Sequence, residues 1–369
     1  MKKVIDVLKT KNIACGYLYS YIHLITEIAC FYMLYKITNN MLVAWMVPLF
    51  YDGFAFVPQA LIGYINDKIP KIKFSIIGTV LMIISYLLYF ISSINVFLPL
   101  LFLCLGNACI HVNGAEVTLR CSNGMLSHSA IFVAGGSFGV IIGRLLSTSI
   151  VPFGIIILLM CTMFPFILLA ETYEKDKVLD KFNYVKKDIS PMIVIILAVF
   201  VVIVRGYLGY GIPTSWNKTV IQNIIFYFTM GIGKALGGIL SDIFGIRKVA
   251  TFSTLIAVPF LCIGDNLMLV SLLGVMMFSM TMSITLAILA SVLKRVPGLA
   301  FGLTTIGLFL GTVPIFFVRI TNVYINIAMI SIMSVICTGV LLYVLEKDNK
   351  NEKIDKEEKI KINGKEEVV

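Results

Sequence analysis

Apolar residues occur along this chain in runs of about 20, separated by short polar stretches. A helix of that length crosses about 30 Å of hydrocarbon at about 1.5 Å per residue. Because the hydrocarbon layer holds no water, each run must satisfy its own backbone groups, which favours helix; the ten-residue alternation typical of barrel strands does not occur. The pattern predicts twelve membrane spans, with the ranges 12–35, 42–64, 73–93, 97–118, 129–150, 152–170, 191–212, 219–240, 248–264, 267–292, 298–318 and 323–345.

The longest polar break falls near the middle of the chain and divides the spans six and six. Its sequence, ETYEKDKVLDKFNYVKKDIS, is highly charged and is interpreted as a solvated cytoplasmic linker. The last stretch is rich in Lys and Glu and is expected to be disordered. We therefore predict an all-α membrane protein with a six-helix bundle at 12–170, a linker at 171–190, a second, pseudo-symmetric six-helix bundle at 191–345 and a charged cytoplasmic tail at 346–369.

Composition supports this class. Hydrophobic residues make up 59% of the chain and charged residues 14%, and the mean hydropathy is +0.96. A soluble domain would carry about a quarter charged residues, so a soluble globular protein is excluded.

Basic residues are distributed unevenly between the two sides of the predicted membrane. Most of the 30 Lys and Arg residues fall in the N-terminal segment, the even-numbered loops, the linker and the tail. The opposite side holds only Lys36, Lys218 and Arg319. The positive-inside rule therefore predicts that both termini are cytoplasmic. The same asymmetry accounts for the net charge of +10, so no nucleic-acid partner is expected.

A short motif occurs twice, at the end of the second span of each half: GYINDKIPKIKF at 63–74 and GGILSDIFGIRKV at 237–249. In each copy a Gly (Gly63, Gly238) precedes an Asp (Asp67, Asp242) by four positions, and basic residues such as Lys68 and Arg247 follow. The glycines allow close approach of a neighbouring helix, and the acids at the membrane boundary are able to meet a helix N-terminus or a basic group.

These motifs, in twelve spans split six and six, resemble the major facilitator superfamily over residues 12–345. Two positions depart from the family pattern, since Pro70 stands where Gly is usual and Ile243 where a basic residue is usual. The resemblance implies a secondary transporter in which the motif holds the outward-facing state. It also implies that Asp67 faces the start of span 11 and Asp242 the start of span 5.

A second stretch, GNACIHVNGAEVTLRCSNGMLSHSAIFVAGGSFGVIIGRLL, resembles the same region of fosmidomycin-resistance-type and related uncharacterised bacterial members. The resemblance favours export. Arg144 stands where the efflux members have Pro, so uptake stays open as the alternative. Within the stretch Gly135, Gly139 and Gly143 share one helix face and are expected to serve helix packing.

Ionisable groups at membrane depth cost about 2.5–3.5 kcal/mol each and need a reason to be there. In the first half Glu27 is a candidate proton-coupling residue, together with His23, four positions away on the same helix face, and Asp52. The alternative is a structural His23–Glu27 hydrogen bond that only orders span 1.

The second half carries basic groups instead, Arg205 in span 7 and Lys234 in span 8, which are candidates for attracting an anionic solute. The alternatives are that Arg205 pairs with Asp52 or Glu27 as a gate and that Lys234 bonds a carbonyl. Because the resemblance implies that spans 1, 4, 7 and 10, with their neighbours, line a central cavity, the predicted cavity residues are Asn107, His111, Arg205, Lys234 and Gln59.

Sequence signatures of other functions do not occur. The chain has no Walker sequence, no nucleophile elbow, no His-Glu-x-x-His, no Cys-x-x-Cys and no clustered Cys and His spacing, so we predict no enzyme, no cofactor and no metal. The predicted function is a monomeric, proton-coupled secondary transporter of a small anionic or drug-like solute, embedded in the lipid bilayer of the cell membrane. An uptake symporter of the same fold, a transporter-like sensor and a membrane-embedded enzyme remain the alternatives.

Overall fold

A computed structural model describes residues 2–10, 12–38, 45–91, 95–318 and 320–347. Within these residues the regular structure is helical, apart from one isolated bridge between Val185 and Leu345. The predicted tail from residue 348 onward lies outside the described residues. The twelve predicted spans correspond, in order, to Ile13–Thr38, Met46–Phe56 with Gln59–Lys68, Phe74–Tyr89, Phe97–Cys121, Ser127–Ser147, Phe153–Cys161 with Met163–Ala170, Pro191–Gly211, Val220–Phe244, Ile246–Leu255 with Ala257–Ile263, Met268–Val292, Pro297–Phe317 and Val323–Val344.

Span lengths agree with membrane crossing. In the described part of the chain, 11 helices are long and apolar enough to cross a membrane. The exception is span 3, Phe74–Tyr89, which is apolar but has 16 residues. The prediction of an all-helical, multi-span protein is thus confirmed.

Three spans (2, 6 and 9) are each built from two successive helices because proline interrupts them. Proline lacks the N–H that bonds the carbonyl four residues earlier. Accordingly the first helix of span 6 ends at Cys161, four residues before Pro165, and that of span 9 ends at Leu255, four residues before Pro259. In span 2 the second helix begins directly after Pro58.

Spans 1 and 5 pack closely along the small-residue face of span 5. A Cβ added at Gly135 would lie 2.2 Å from the carbonyl oxygen of Ser20, and one added at Gly143 would lie 2.5 Å from that of Ile28. Only glycine permits this approach of the two backbones. The contact fixes the side chains of span 1 relative to span 5.

We expect Gly139→Ala to destabilise the protein by about 1–3 kcal/mol, because the new methyl group would overpack a backbone contact. At Gly139 the added Cβ would lie 2.4 Å from the carbonyl oxygen of Leu24 and 2.6 Å from the Cβ of Glu27. Gly339, in the interior of span 12, has nothing within 4 Å of the same position. The control Gly339→Ala should be neutral or stabilising by about 0.5–1 kcal/mol. Thermal unfolding in detergent measures both, and equal melting temperatures for the two variants would contradict the packing role.

The linker is mostly exposed or half-buried, but it is also anchored to both halves of the chain. Leu179 and Phe182 are buried, and the linker bonds to loops from both halves of the chain. The amide of Leu179 donates to the carbonyl of Lys294 at 3.0 Å, and the hydroxyl of Tyr184 donates to that of Gly124 at 2.5 Å. The linker therefore lies along one membrane side, that of residues 63–74 and 237–249, which we call the motif face.

Candidate functional site

The two repeated aspartates lie at the motif face, each against the N-terminus of a helix from the other half of the chain. The backbone amides of Gly298 and Leu299, at the start of span 11, donate to Asp67 Oδ1 and Oδ2, both at 3.0 Å. The amides of Leu126 and Ser127, at the start of span 5, donate to Asp242 Oδ1 and Oδ2, both at 2.9 Å. The first amides of a helix have no partner within the helix and favour negative charge, so each carboxylate caps a helix.

The motif glycines permit this contact. A Cβ on Gly63 would lie 2.3 Å from the carbonyl oxygen of Gly298, and one on Gly238 would lie 2.4 Å from the Cβ of Ala130. The basic motif residues point elsewhere: the Lys68 ammonium lies over the Tyr64 ring, 5.4 Å from its centroid. The guanidinium of Arg247 donates to the carbonyl of Leu345 at 2.8 Å, at the end of span 12.

Arg120 connects the first motif copy to the linker. Its guanidinium pairs with Glu116, one helical turn earlier, and lies 3.7 Å from Asp67 Oδ1. It also donates to the carbonyl of Asp176 at 3.1 Å. Span 2, span 4 and the linker are therefore joined through one cation at the motif face.

A second polar group lies within the membrane-spanning part of the first half and is formed by His23 and Glu27 of span 1 and His111 of span 4. The Nε2 atoms of the two histidines are 2.6 Å apart. Glu27 Oε1 lies 3.1 Å from His111 Nε2 and 3.7 Å from His23 Nε2. Each of the three residues is only 6% exposed. We call these residues the His–Glu cluster.

Backbone carbonyls fix the tautomers of both histidines. His23 Nδ1 lies 2.9 Å from the carbonyl oxygen of Phe132, and His111 Nδ1 lies 2.9 Å from that of Asn107. A carbonyl only accepts, so each Nδ1 carries a proton and donates it. In a neutral ring the proton-free nitrogen is then Nε2, and the two facing Nε2 atoms would present lone pairs to each other. The cluster is therefore satisfied when it holds one additional proton among the two Nε2 atoms and the carboxylate.

The His–Glu cluster is surrounded by Asn107, which the sequence analysis predicted, and by groups that it did not single out. Asn107 Nδ2 donates to Glu27 Oε1 at 3.2 Å and to the Tyr51 hydroxyl at 3.1 Å. Phe301 of span 11 stacks on the His111 ring at 6.3 Å between centroids, so the other half of the chain contacts the cluster. Gly136 provides room, since a Cβ there would lie 2.3 Å from His23 Nε2. The glycine was visible in the sequence, but the aromatic neighbours carried no distinguishing signal.

The structure does not bring Asp52 and Gln59 into the cluster. Asp52 is half-buried, and within the described residues no hydrogen bond or ion pair joins its carboxylate to the cluster. The Gln59 amide donates to the carbonyl of Ala55 at 2.8 Å, and its buried Oε1 has no hydrogen-bond partner in the described residues.

Arg205 and Lys234 form a basic region in the second half. The Arg205 guanidinium donates to the carbonyl of Phe278 at 3.0 Å and lies over the Phe278 ring, while its buried Nε has no partner in the described chain. Among the described residues neither cation forms an ion pair with an acid. Lys234 is half-buried on span 8 and is close enough to Arg205 for the two positive charges to interact.

Solved structures share this architecture. The human organic anion transporter MFSD10 (TETRAN) aligns with a TM-score of 0.59 at 13% identity, over 89% of this chain and 98% of that one. The major facilitator superfamily transporter FucP, in the outward conformation, aligns with a TM-score of 0.54 at 14% identity, over 88% of this chain and 98% of that one. No family model and no curated protein matches the sequence. The chain is thus a multi-pass membrane protein with the major facilitator fold.

Proposed function

We propose that this protein is a proton-coupled secondary transporter of a small organic anion. The halves 12–170 and 191–345 rock against each other about the polar region between the His–Glu cluster and Arg205. The observation that carries the proposal is the 2.6 Å separation of the two Nε2 atoms in the buried His–Glu cluster, from which we infer one shared proton; the cluster also contacts the second half through Phe301.

The proton role rests on the environment of the cluster. A proton shared by His23 and His111 is balanced by the carboxylate of Glu27, so the protonated cluster is close to neutral. Loss of the proton leaves a buried negative charge beside two lone pairs, which is unfavourable in a low-dielectric interior. Release of the proton is therefore tied to a conformation that admits water. We assign Asp52, an acid within the neighbouring span 2, a modulating role in this step.

The anion role rests on the basic region. Arg205 and Lys234 are cations within apolar spans and have no acidic partner among the described residues at ion-pair distance. A positive group at membrane depth is stabilised by a bound anion. The transport of organic anions by MFSD10, a protein of the same fold, supports this choice of solute class.

The orientation follows from the positive-inside rule. We place both termini and the motif face in the cytoplasm of a cell whose cytoplasmic membrane holds the protein as a monomer. Export is the direction favoured by the resemblance to the fosmidomycin-resistance-type members. Comparing solute accumulation in inside-out and right-side-out vesicles distinguishes export from uptake.

A panel of radiolabelled carboxylates, sulfonates and phosphonates, with neutral analogues, tests the proposal in reconstituted vesicles under an imposed pH gradient. We expect saturable transport of at least one anion and none of its neutral analogue. Arg205→Ala should raise the KM of that anion about tenfold to a hundredfold, because a charge-assisted contact contributes about 1.5–3 kcal/mol.

Lys218→Ala is the matched control, since it removes one positive charge from an exposed position near the membrane and should leave the KM unchanged. Normal affinity in Arg205→Ala would contradict the anion site, and transport of only neutral solutes would overturn the solute class.

A further inference from the structure

We infer that the His–Glu cluster is also a binding site for a divalent first-row transition-metal ion, which takes the place of the cluster's proton. The three ligand atoms, two imidazole nitrogens and one carboxylate oxygen, all lie within 4.8 Å of one another. Two imidazoles and a carboxylate form a ligand set that suits zinc and its neighbours in the first row.

The tautomers make the two histidines ready ligands. Because the carbonyls of Phe132 and Asn107 accept from the two Nδ1 atoms at 2.9 Å, both Nε2 lone pairs point into the cluster. A metal-binding histidine in a protein almost always donates its other ring N–H to a carbonyl or carboxylate, which orients the ring and increases its basicity. Both histidines here have that support already.

Asn107 offers a fourth ligand. It is fully buried, its Nδ2 lies 3.2 Å from Glu27 Oε1, and its Oδ1 has no hydrogen-bond partner in the described residues. Rotation of the amide by half a turn exchanges the two atoms and directs Oδ1 toward Glu27. The site would then have two nitrogen and two oxygen ligands, the number that a tetrahedral ion requires.

Metal binding requires the histidines to separate slightly. With metal–nitrogen bonds of about 2.0–2.1 Å and tetrahedral angles, two ligand nitrogens lie about 3.3 Å apart. The present separation of 2.6 Å suits a shared proton. Proton and metal therefore occupy the same point between spans 1 and 4 and exclude each other.

This competition has two consequences. Binding of the ion releases one proton. The affinity for the ion should therefore fall about tenfold for each unit by which the pH is lowered, as long as the free cluster stays protonated. A bound ion also ties span 1 to span 4 and occupies the proton site. It should therefore inhibit transport, a consequence that rests on the proposed function, whereas the binding itself does not.

Isothermal titration of Zn²⁺ into the purified, tag-free protein tests the site directly. We expect one Zn²⁺ per chain. Repeating the titration in buffers of different ionisation enthalpy should show one proton released per ion. X-ray absorption at the zinc edge should show two imidazole ligands with zinc–nitrogen distances of about 2.0–2.1 Å. A zinc shell without imidazole, or the absence of saturable binding, would overturn the site.

Variants locate the ion. His111→Gln and Glu27→Gln should each weaken Zn²⁺ binding at least tenfold. His128→Gln changes the only other histidine of the chain, which lies on span 5 outside the cluster, and should bind Zn²⁺ as the unmodified protein does. Equal loss in all three variants, with melting temperatures unchanged, would refute the assignment. A variant that does not fold leaves the absorption spectrum of the unmodified protein as the deciding measurement.

Discussion

Replacing Asp67 with Ala is expected to raise hydrogen–deuterium exchange in residues 297–302 by about a hundredfold. Asp67 accepts the amides of Gly298 and Leu299, both at 3.0 Å. Hydrogen bonds to a charged group contribute about 1.5–3 kcal/mol each, so losing two costs the closed motif face about 3 kcal/mol or more. Each 1.4 kcal/mol is a factor of ten in an equilibrium constant, which gives the expected change.

The same substitution tests whether the motif face opens as one unit. Asp67 does not bond to the start of span 5, where the amides of Leu126 and Ser127 are held by Asp242. If the two halves rock as rigid bodies, Asp67→Ala should also raise exchange in residues 126–130. Asp242→Ala should produce the reciprocal result.

Asp188→Ala is the matched control, because it removes an exposed carboxylate from the linker on the same face. It should leave exchange at both helix starts unchanged. An increase confined to residues 297–302 in Asp67→Ala would show that Asp67 caps one helix only, and no increase at either helix start would remove its role in holding the face closed.

Hydropathy predicts the spans of this chain well because membrane crossing imposes length and composition on every helix. The interruptions at Pro165 and Pro259 were also present in the sequence, but apolar run length alone does not register a missing N–H. The anchoring of the linker was not predicted for a related reason. Its many charges outweighed Leu179 and Phe182, whose burial depends on loops that lie far away in sequence.

For the candidate site, residue spacing predicted which side chains share one helix face, but it did not predict which helices pack together. His23 and Glu27, like Asn107 and His111, are four residues apart, which sequence alone can interpret. That these two pairs meet depends on the packing of spans 1 and 4. The carbonyl of Phe132, which fixes the tautomer of His23, could not be foreseen because backbone acceptors exist at every residue. The expectation of no metal site relied on linear spacing, whereas the site that we propose draws its ligands from two spans.

The largest functional effect is expected from Glu27→Gln, which should abolish accumulation of solute driven by a pH gradient while exchange of solute continues. The glutamine keeps the shape of the side chain but removes the charge that balances the proton shared by His23 and His111. Without that charge the cluster no longer holds its additional proton in the membrane interior. Solute movement then becomes independent of proton movement.

The single additional proton sets the ratio to which the solute accumulates. One pH unit corresponds to 1.36 kcal/mol per proton, so coupling one proton to each solute permits about tenfold accumulation for a gradient of one pH unit. In vesicles carrying Glu27→Gln the solute should only equilibrate, at a ratio of about one. Simultaneous measurement of solute by radiolabel and of internal pH by a trapped dye follows both movements.

A triple variant, His23→Leu with Glu27→Met and His111→Leu, separates coupling from folding. Breaking a buried charged cluster by removing one member costs about 3–5 kcal/mol, whereas replacing all members together by apolar residues of similar volume is often neutral. We therefore expect Glu27→Gln to lower the melting temperature and the triple variant to regain much of that loss. In both variants solute accumulation should be independent of the pH gradient. If Glu27→Gln still accumulates solute about tenfold per pH unit, the cluster is a structural contact that orders span 1 against span 4, and the coupling proton resides elsewhere.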